Sequence, residues 1–368
     1  MEIKHLKIIA LIIAIFFAII VLSIGVYAIW MESRYYRIAD NIPLTISNSN
    51  LPILQTGKKY TALTYNLGFG AYNQDFSFFL DKGTMLDGTP VEGKFSRGQS
   101  FDIVRDNTLS SMTTVMSKNP DFCLLQEVDS FATRSYHIDQ KESYECMFPE
   151  YAAVYALNLH TPFLLYPLFE PHGRAYSGLL TLSRYAITEA TRKSYPVDQN
   201  FIEKFVDLDR CFVLLRLPVD NGKELVLINS HLSAYDKGGK MRAKQLAMLN
   251  EVMSVEREKG NYVIVGGDFN HTLFDTKNTF ATQQQVPDWV FTLSNHDLVP
   301  GFQLVKANNA TTVPTCRSCD LPYVKGINYT SVLDGFIVSD NIKASACNLD
   351  TEFKNSDHNP VLLTFLLE

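Results

Sequence analysis

The chain has 368 residues, of which 46% are hydrophobic and 20% are charged, and this composition is typical of a globular protein rather than a disordered one. Its formal net charge of −6 excludes a broad basic surface that would hold nucleic acid by charge alone. Any phosphate that it binds must therefore be met by local Arg or Lys side chains or by a metal ion.

The first predicted element is an apolar run from Ile8 to Trp30 that contains no charged residue. Its 23 residues can span a bilayer, exceed the core of a signal peptide and precede no clear cleavage motif. We therefore expect a short stub at 1–7, an uncleaved single-pass anchor at 8–30 and a membrane-bound protein. Equal numbers of basic residues flank the run, so the bulk of the chain is placed on the extracytoplasmic side only as the simpler topology.

The rest of the chain divides into a tether and a domain. Residues 31–58 are polar and contain prolines and a Ser-Asn run, which is typical of a tether. In residues 59–368, short apolar runs alternate with helix-like stretches at 100–118 and 240–259, which predicts one α/β domain. A glycine-containing stretch at 74–98 is predicted to be a long loop. The predicted strands are 60–65, 122–125, 178–183, 211–217, 225–228, 262–265, 332–338 and 361–367.

The six cysteines have irregular spacing. Cys123 and Cys211 lie inside apolar runs and are predicted to be small core residues. Cys316 and Cys319 form a single CxxC without a second pair or a histidine cluster, so a structural zinc site is not expected. A local disulfide and two free thiols both remain open.

Aromatic residues are frequent in the middle of the chain. Tyr151, Tyr155, Tyr166 and Tyr176, together with Trp289, are predicted to pack in the core or under loops. Their alternative role is a lipid-facing or base-stacking surface.

Polar side chains fall at the ends of six predicted strands. Each has an ordinary explanation as a turn cap or a rim residue. Burying this many acids, amides and histidines together would cost desolvation free energy unless a metal ion compensates their charge. Side chains of these types are also what a hard divalent cation and a base that activates water require. The residues are Asn66, Gln126, Glu127, Asn229, Ser230, His231, Asp268, Asn270, Asp334, Asp357, His358 and Asn359.

The ordered motifs TYNLGFG, DFCLLQEVD, LINSHLSA, VGGDFNHT, SVLDGFIVS and NSDHNPVLL resemble those of the endonuclease/exonuclease/phosphatase superfamily of metal-dependent phosphohydrolases. GDFN and SDHNPV together are highly specific. The resemblance covers about residues 58–368. The branches of the superfamily that the chain resembles are the pancreatic-type deoxyribonucleases and the neutral sphingomyelinases. It implies a four-layer α/β sandwich, in which two mixed sheets pack face to face between outer helices, with an active site at one rim.

The resemblance also implies a Mg²⁺ site, with Mn²⁺ or Ca²⁺ as alternative ions. Glu127 would be the principal ligand, helped by Asn66, and Asp357 matches the other carboxylate on the metal side. One departure is Gly68, which stands where apurinic endonucleases carry Asp. This departure weakens the case for a second metal ligand on that strand.

Five further residues receive catalytic roles from the resemblance. Asp268 would act as the base or position the attacking water, and Asn270 would hold a phosphoryl oxygen. His358 would bind or protonate the phosphate, oriented by Asp334, while His231 would donate a proton or stabilise the oxyanion. These roles suit in-line attack at phosphorus, which builds charge on the nonbridging and leaving oxygens.

Two arginines are weaker candidates for substrate binding. Arg134 follows the QE motif, where an exposed loop is an equally good interpretation, and Arg317 lies within the CxxC. A guanidinium near the rim would suit a phosphate.

We therefore expect a membrane-anchored, Mg²⁺-dependent phosphoesterase whose substrate is a phospholipid headgroup, a small phosphoester or nucleic acid. The alternative is a catalytically inactive binding or scaffold protein on the same fold. Such a protein would be expected to lose Glu127, Asp268 or His358, and all three are present. No protein partner is implied.

Overall fold

Two β-sheets lie face to face, with helices on both outer faces, in the computed structural model of the chain. The structure describes residues 2–48, 50–197, 205, 209–234 and 237–368. This arrangement confirms the predicted α/β sandwich. The helices within the described residues include α1 (Glu2–Arg34), α2 (Phe101–Lys118), α3 (Gln140–Met147) and α4 (Lys240–Glu258).

The first sheet has six strands. They are β2 (Lys59–Asn66), β5 (Phe122–Ala132), β6 (Ala152–Leu164), β7 (Gly173–Ser183), β18 (Ile342–Asn348) and β19 (Val361–Leu367). Their spatial order is β18-β19-β2-β5-β7-β6, and only β2 and β5 are parallel neighbours. Asn66, at the carboxyl end of β2, is therefore paired with Gln126 inside β5.

The second sheet has seven strands. They are β1 (Ile42–Pro43), β8 (Glu189–Ser194), β9 (Cys211–Pro218), β10 (Glu224–His231), β11 (Tyr262–Asp268), β14 (Phe302–Leu304) and β17 (Asp334–Ser339). Their order is β1-β8-β9-β10-β11-β17-β14. The register pairs His231 with Asp268 and Asp268 with Asp334, so these three residues form a row across neighbouring strands.

Six short strands complete the described structure in three two-stranded sheets. They are β3 (Lys82–Thr84), β4 (Pro90–Glu92), β12 (Thr272–Leu273), β13 (Thr292–Leu293), β15 (Cys316–Arg317) and β16 (Thr330–Ser331).

Apolar side chains form a core between the sheets and one core on each outer face. Phe122, Leu215 and Phe336 are among the buried residues of the inner core. Residues of α2 and α3 cover the first sheet, and residues of α4 cover the second. Cys123 and Cys211 are fully buried, as predicted, because small apolar side chains suit tightly packed central strands.

The structure differs from the sequence-based prediction in its less regular parts. The long strand β6 and the strand β8 were not predicted, because polar residues interrupt their apolar pattern. The stretch 74–98 contains the hairpin of β3 and β4 as well as loop. The strand predicted from Val332 begins at Asp334.

The polar segment 31–58 lies on the domain over part of its length. Ile38 and Leu54 are buried, and Ile42 and Pro43 pair with β8. A few apolar side chains are enough to hold this polar segment against the domain, and the composition of the segment does not predict such packing. The domain boundaries themselves stay a prediction.

Helix α1 contains the apolar run. Its segment Ile3–Arg34 has a mean hydropathy of 3.2 in its most apolar window, and none of that window is buried in the domain. This helix is long and apolar enough to cross a membrane, and a signal sequence has the same properties.

Candidate active site at one rim of the sandwich

The predicted metal and catalytic residues meet at one rim, where the carboxyl ends of β2, β10 and β11 lie beside the middle of β5. The antiparallel strand β17 begins at this rim, and the loop before β19 crosses it. Each of the eight residues has an atom within 4.0 Å of another member of the set. The set is Asn66, Glu127, His231, Asp268, Asn270, Asp334, Asp357 and His358.

Glu127 reaches the rim through an irregularity in its strand. The pairing of β5 with β7 shifts between Leu125 and Val128, and Glu127 has a φ of 52°, in the left-handed region. Such a bulge redirects a side chain. Burial raises the pKa of the Glu127 carboxyl, and the charge of Asp357 adds to the rise while Arg134 opposes it.

Asn66 joins Glu127 to Asp268. Its Nδ2 donates to Glu127 Oε1 at 3.2 Å and to Asp268 Oδ2 at 3.1 Å. Its Oδ1 accepts a hydrogen bond from the backbone nitrogen of Gly68 at 3.0 Å. Asn66 therefore connects the rims of the two sheets.

Asp268 is the centre of the site. Its Oδ1 accepts a hydrogen bond from the backbone nitrogen of Asn270 at 2.8 Å. Its Oδ2 lies 3.5 Å from His231 Nε2 and 3.6 Å from His358 Nε2. The preceding Gly267 has a φ of 154°, and a Cβ there would lie only 1.8 Å from the backbone oxygen of Ser230, so a side chain would force β10 and β11 apart.

His358 and Asp334 form a buried ion pair, with Nδ1 and Oδ2 2.8 Å apart. Burial lowers the pKa of His358, but the charge of Asp334 and the other nearby acids outweighs this and holds it well above its usual value. Burial raises the pKa of Asp334 to about 6, against the opposing effect of His358. At neutral pH the imidazole is therefore protonated and the carboxyl ionised.

His231 has the opposite electrostatic state. It is buried, and burial together with the charges of Arg210 and His358 lowers its pKa well below the usual value. Its Nδ1 has no hydrogen-bond partner among the described residues. A neutral imidazole thus faces the same Asp268 oxygen as a protonated one.

Asp357 lies at the outer side of the cluster. Its Oδ2 accepts a weak hydrogen bond from Cys319 Sγ at 3.5 Å, and its Oδ1 occupies the space above Gly68. A Cβ on Gly68 would lie 2.8 Å from that oxygen, so an acid at position 68 would not fit here. Cys316 and Cys319 are both free thiols, which decides between the two alternatives left open by the sequence.

The two candidate arginines have structural partners. Arg134 is buried, donates to both carboxylate oxygens of Asp129 at 3.1 and 2.8 Å, and stacks on Phe69. Arg317 is buried and donates to the backbone oxygens of Ser318 at 3.2 Å and Asn73 at 3.0 Å. Substrate binding by either arginine stays a prediction.

Two supporting residues were not predicted. Ser356 Oγ donates to the backbone oxygen of Asn66 at 2.7 Å and accepts from the backbone nitrogen of His358 at 3.1 Å. Thr315 Oγ1 accepts from the backbone nitrogen of Asp334 at 3.0 Å. Ser356 belongs to the NSDHNP motif and could have been found there, whereas no sequence signal marks Thr315.

The carboxylates of this cluster suit a divalent cation. Asp268 and Asp334 each offer a buried oxygen within 4.8 Å of the other and of a ring nitrogen of His358. Asp334 Oδ1 has no hydrogen-bond partner among the described residues. Glu127 and Asp357 add two more carboxylates, which repel each other unless a cation or a proton lies near them.

The fold and this rim define a metal-dependent phosphoester hydrolase. The sequence profile of the Endonuclease/Exonuclease/phosphatase family matches residues 63–358. The chain therefore belongs to this family. None of the curated proteins matches the sequence significantly.

Solved structures share the fold at low sequence identity. A family member from Beutenbergia cavernae has a TM-score of 0.54 and 14% identity, over 84% of this chain and 72% of its own. TDP2 from D. rerio, complexed with a single-strand DNA product, gives 0.52 and 13%, over 84% and 99%. ANGEL2, a 2',3'-cyclic phosphatase in complex with adenosine-2',3'-vanadate, gives 0.52 and 15%, over 89% and 99%.

Proposed function

We propose that the protein is a membrane-anchored, Mg²⁺-dependent phosphodiesterase that hydrolyses its substrate by in-line attack of water. The observation that carries this proposal is the convergence of two imidazoles, of His231 and His358, on one carboxylate oxygen, Asp268 Oδ2. This arrangement supplies a base and two hydrogen-bond donors around one position, as phosphoester hydrolysis needs.

Glu127, Asn66 and Asp357 are the proposed holders of Mg²⁺, which prefers oxygen ligands. His358 is a poor ligand, because its raised pKa keeps a proton on both ring nitrogens. Asn66 would have to turn its amide by half a turn for Oδ1 to face the carboxylates. When bound, the ion would polarise the phosphoryl group and neutralise its developing charge.

Asp268 is the proposed base for the attacking water. Its Oδ1 is held by the backbone nitrogen of Asn270, which leaves Oδ2 as the acceptor that faces the site. One amide hydrogen of Asn270 goes to the backbone oxygen of Leu232 at 2.9 Å, and its second hydrogen is available to a phosphoryl oxygen.

The two imidazoles have different proposed roles. His358, which Asp334 keeps protonated, contributes a positive charge and an Nε2–H donor to the phosphate. His231 is neutral, so of the two roles implied by the resemblance we favour a neutral hydrogen-bond donor to the oxyanion. Proton transfer from His231 would require a substrate charge to raise its pKa first.

The substrate is proposed to be a phosphodiester, either of a phospholipid headgroup or of nucleic acid. The apolar helix α1 favours a lipid near the membrane, whereas the DNA product bound to the similar TDP2 structure favours nucleic acid. We place the catalytic domain on the extracytoplasmic side as the simpler topology.

A substrate panel tests this proposal. The full chain in phosphatidylcholine vesicles with Mg²⁺ is incubated with plasmid DNA, RNA, sphingomyelin, phosphoinositides and inositol phosphates. We expect one phosphodiester class to be hydrolysed by the wild type and not by Asp268→Asn. Binding of a panel member without hydrolysis by the wild type would favour the inactive scaffold instead.

A further inference from the structure

An exposed apolar loop lies at the tip of the longest hairpin of the first sheet. The loop connects β6 to β7 and has the sequence LYPLFE at 165–170. Leu168 is 71% exposed and Phe169 is 98% exposed, and Leu165 and Tyr166 are also exposed. We call Leu165 to Phe169 the apolar tip. Four large apolar side chains in five residues form a patch of the kind that marks an interaction site.

The apolar tip is held in place at its base. The backbone nitrogen of His172 donates to the backbone oxygen of Tyr166 at 3.1 Å, and His172 Nδ1 lies 2.6 Å from the backbone oxygen of Ser96. Arg97 pairs with Glu170 at 3.3 Å, and Tyr166 packs on Phe79. The exposed side chains therefore sit on a fixed loop.

Helix α1 contacts this loop directly. The hydroxyl of Tyr27 donates to the backbone oxygen of Phe163 at 3.0 Å and accepts from the backbone nitrogen of Leu165 at 3.0 Å. Tyr27 lies inside the apolar run and three residues before Trp30, or about 4.5 Å along the helix axis. The loop is thus fixed at a level where the helix is still apolar.

This contact determines the surroundings of the apolar tip if α1 crosses a bilayer. Tyr and Trp near a helix end are typical of the interface between headgroups and acyl chains. A backbone oxygen and nitrogen at that depth need internal hydrogen-bond partners, and the Tyr27 hydroxyl supplies both. Leu168 and Phe169, which touch little else, would lie in the membrane.

The apolar tip and the active site are on the same side of the sandwich. Val128, next to Glu127, pairs with Gly178, and β7 extends from there back to Gly173. Residues 173–177 correspond to about 17 Å of strand. The hairpin of β6 and β7 therefore projects past Glu127, on the side of the sandwich where the active site opens. A membrane that holds the apolar tip would face this rim.

From these observations we propose that the apolar tip inserts into the lipid bilayer that α1 spans and directs the catalytic rim toward the membrane surface. The inference rests on the proposed membrane anchoring of α1, and it extends the proposed function by a second membrane contact. It also selects the lipid-facing alternative for Tyr166.

The test measures the depth of the apolar tip by tryptophan quenching. The full-length Phe169→Trp variant is reconstituted into phosphatidylcholine vesicles with or without bromine on the acyl chains, and the wild-type signal of Trp30 and Trp289 is subtracted. Val255→Trp is the matched control, because Val255 is also an exposed apolar residue and lies on α4, which leads to the opposite end of β11. We expect the Phe169→Trp emission to be blue-shifted and largely lost in brominated vesicles, and the control to be unaffected.

Equal emission of Phe169→Trp in both kinds of vesicle would overturn the proposal. Quenching of Val255→Trp to the same degree would also overturn it, because the domain would then lie on the membrane by another face. If the blue shift disappears when the protein is diluted with more lipid, the apolar tip contacts a second copy of the chain instead of lipid, and the proposal is wrong. Flotation of the wild-type protein tests separately whether α1 anchors the chain. If it does not, the protein will not float with the vesicles, and the proposed membrane anchoring is then wrong independently of the apolar tip.

Discussion

Removal of the imidazole of His231 or of His358 is expected to lower kcat by about 10²–10⁴-fold. Removal of His358 should also lower stability, because it leaves Asp334 buried without its ion pair. This range corresponds to about 2.7–5.4 kcal/mol of transition-state stabilisation. Both Nε2 atoms lie within 3.6 Å of Asp268 Oδ2 and are no more than about 7 Å apart. One phosphoryl group beside Asp268 can therefore receive hydrogen bonds from both imidazoles.

The shared position also predicts how the two changes combine. The double variant His231→Ala/His358→Ala should lose less activity than the product of the two single losses, because each single change already disrupts the same hydrogen-bonded phosphate. His160→Ala is the matched control, since His160 stacks on Tyr176 and makes none of the contacts at the rim. It should keep the wild-type kcat.

The assay is steady-state hydrolysis of the substrate identified by the panel, with thermal unfolding of every variant. If both single variants were fully active, the two residues would be ordinary rim histidines and the proposed mechanism would not apply. Losses that simply multiply in the double variant would mean that the imidazoles act independently.

Three further predictions follow from particular contacts. Asp334→Asn should lower kcat less than His358→Ala and should move the alkaline limb of the pH profile to lower pH, because it removes the charge that raises the pKa of His358. An unchanged pH profile would contradict the pairing. Arg134→Met should lower the free energy of unfolding, measured by urea denaturation, by about 3–5 kcal/mol, because it leaves Asp129 buried without its ion pair. A raised KM with unchanged stability would instead indicate that Arg134 binds substrate. Deletion of residues 1–30 should replace stable membrane attachment in flotation by weak, reversible binding through the apolar tip, because a few inserted side chains hold far less strongly than a spanning helix. The variant should keep kcat on a water-soluble phosphoester, since α1 carries no site residue, and loss of kcat would show that the helix supports the site.

The sequence predicted the rim because its residues lie in short, ordered motifs at the ends of apolar strands. Asp268 and His358 could be placed from GDFN and SDHNPV alone, and the strand register then paired Asp268 with Asp334. The positions of Cys123 and Cys211 followed from the apolar runs around them.

Other features depend on contacts between distant parts of the chain, which the sequence does not mark. Arg134 resembled a free loop residue, but Asp129 lies five positions earlier on a strand that turns its carboxylate inward. The hydrogen bonds of Tyr27 to residues 163 and 165 join segments more than 130 positions apart. The protonation states of the two histidines depend on burial and on neighbouring charges that only the folded chain brings together.

Metal-dependent hydrolysis is the central claim, and its most direct test is the activity of the full chain against Mg²⁺ concentration after treatment with EDTA. We expect no hydrolysis in EDTA, full recovery with added Mg²⁺, and a higher Mg²⁺ requirement for Glu127→Gln, because this change removes the charge of the principal proposed ligand. The control Glu142→Gln changes an exposed acid on α3 and should titrate like the wild type. Full activity in EDTA, or a Glu127→Gln variant that is folded and follows the wild-type Mg²⁺ curve, would contradict the account.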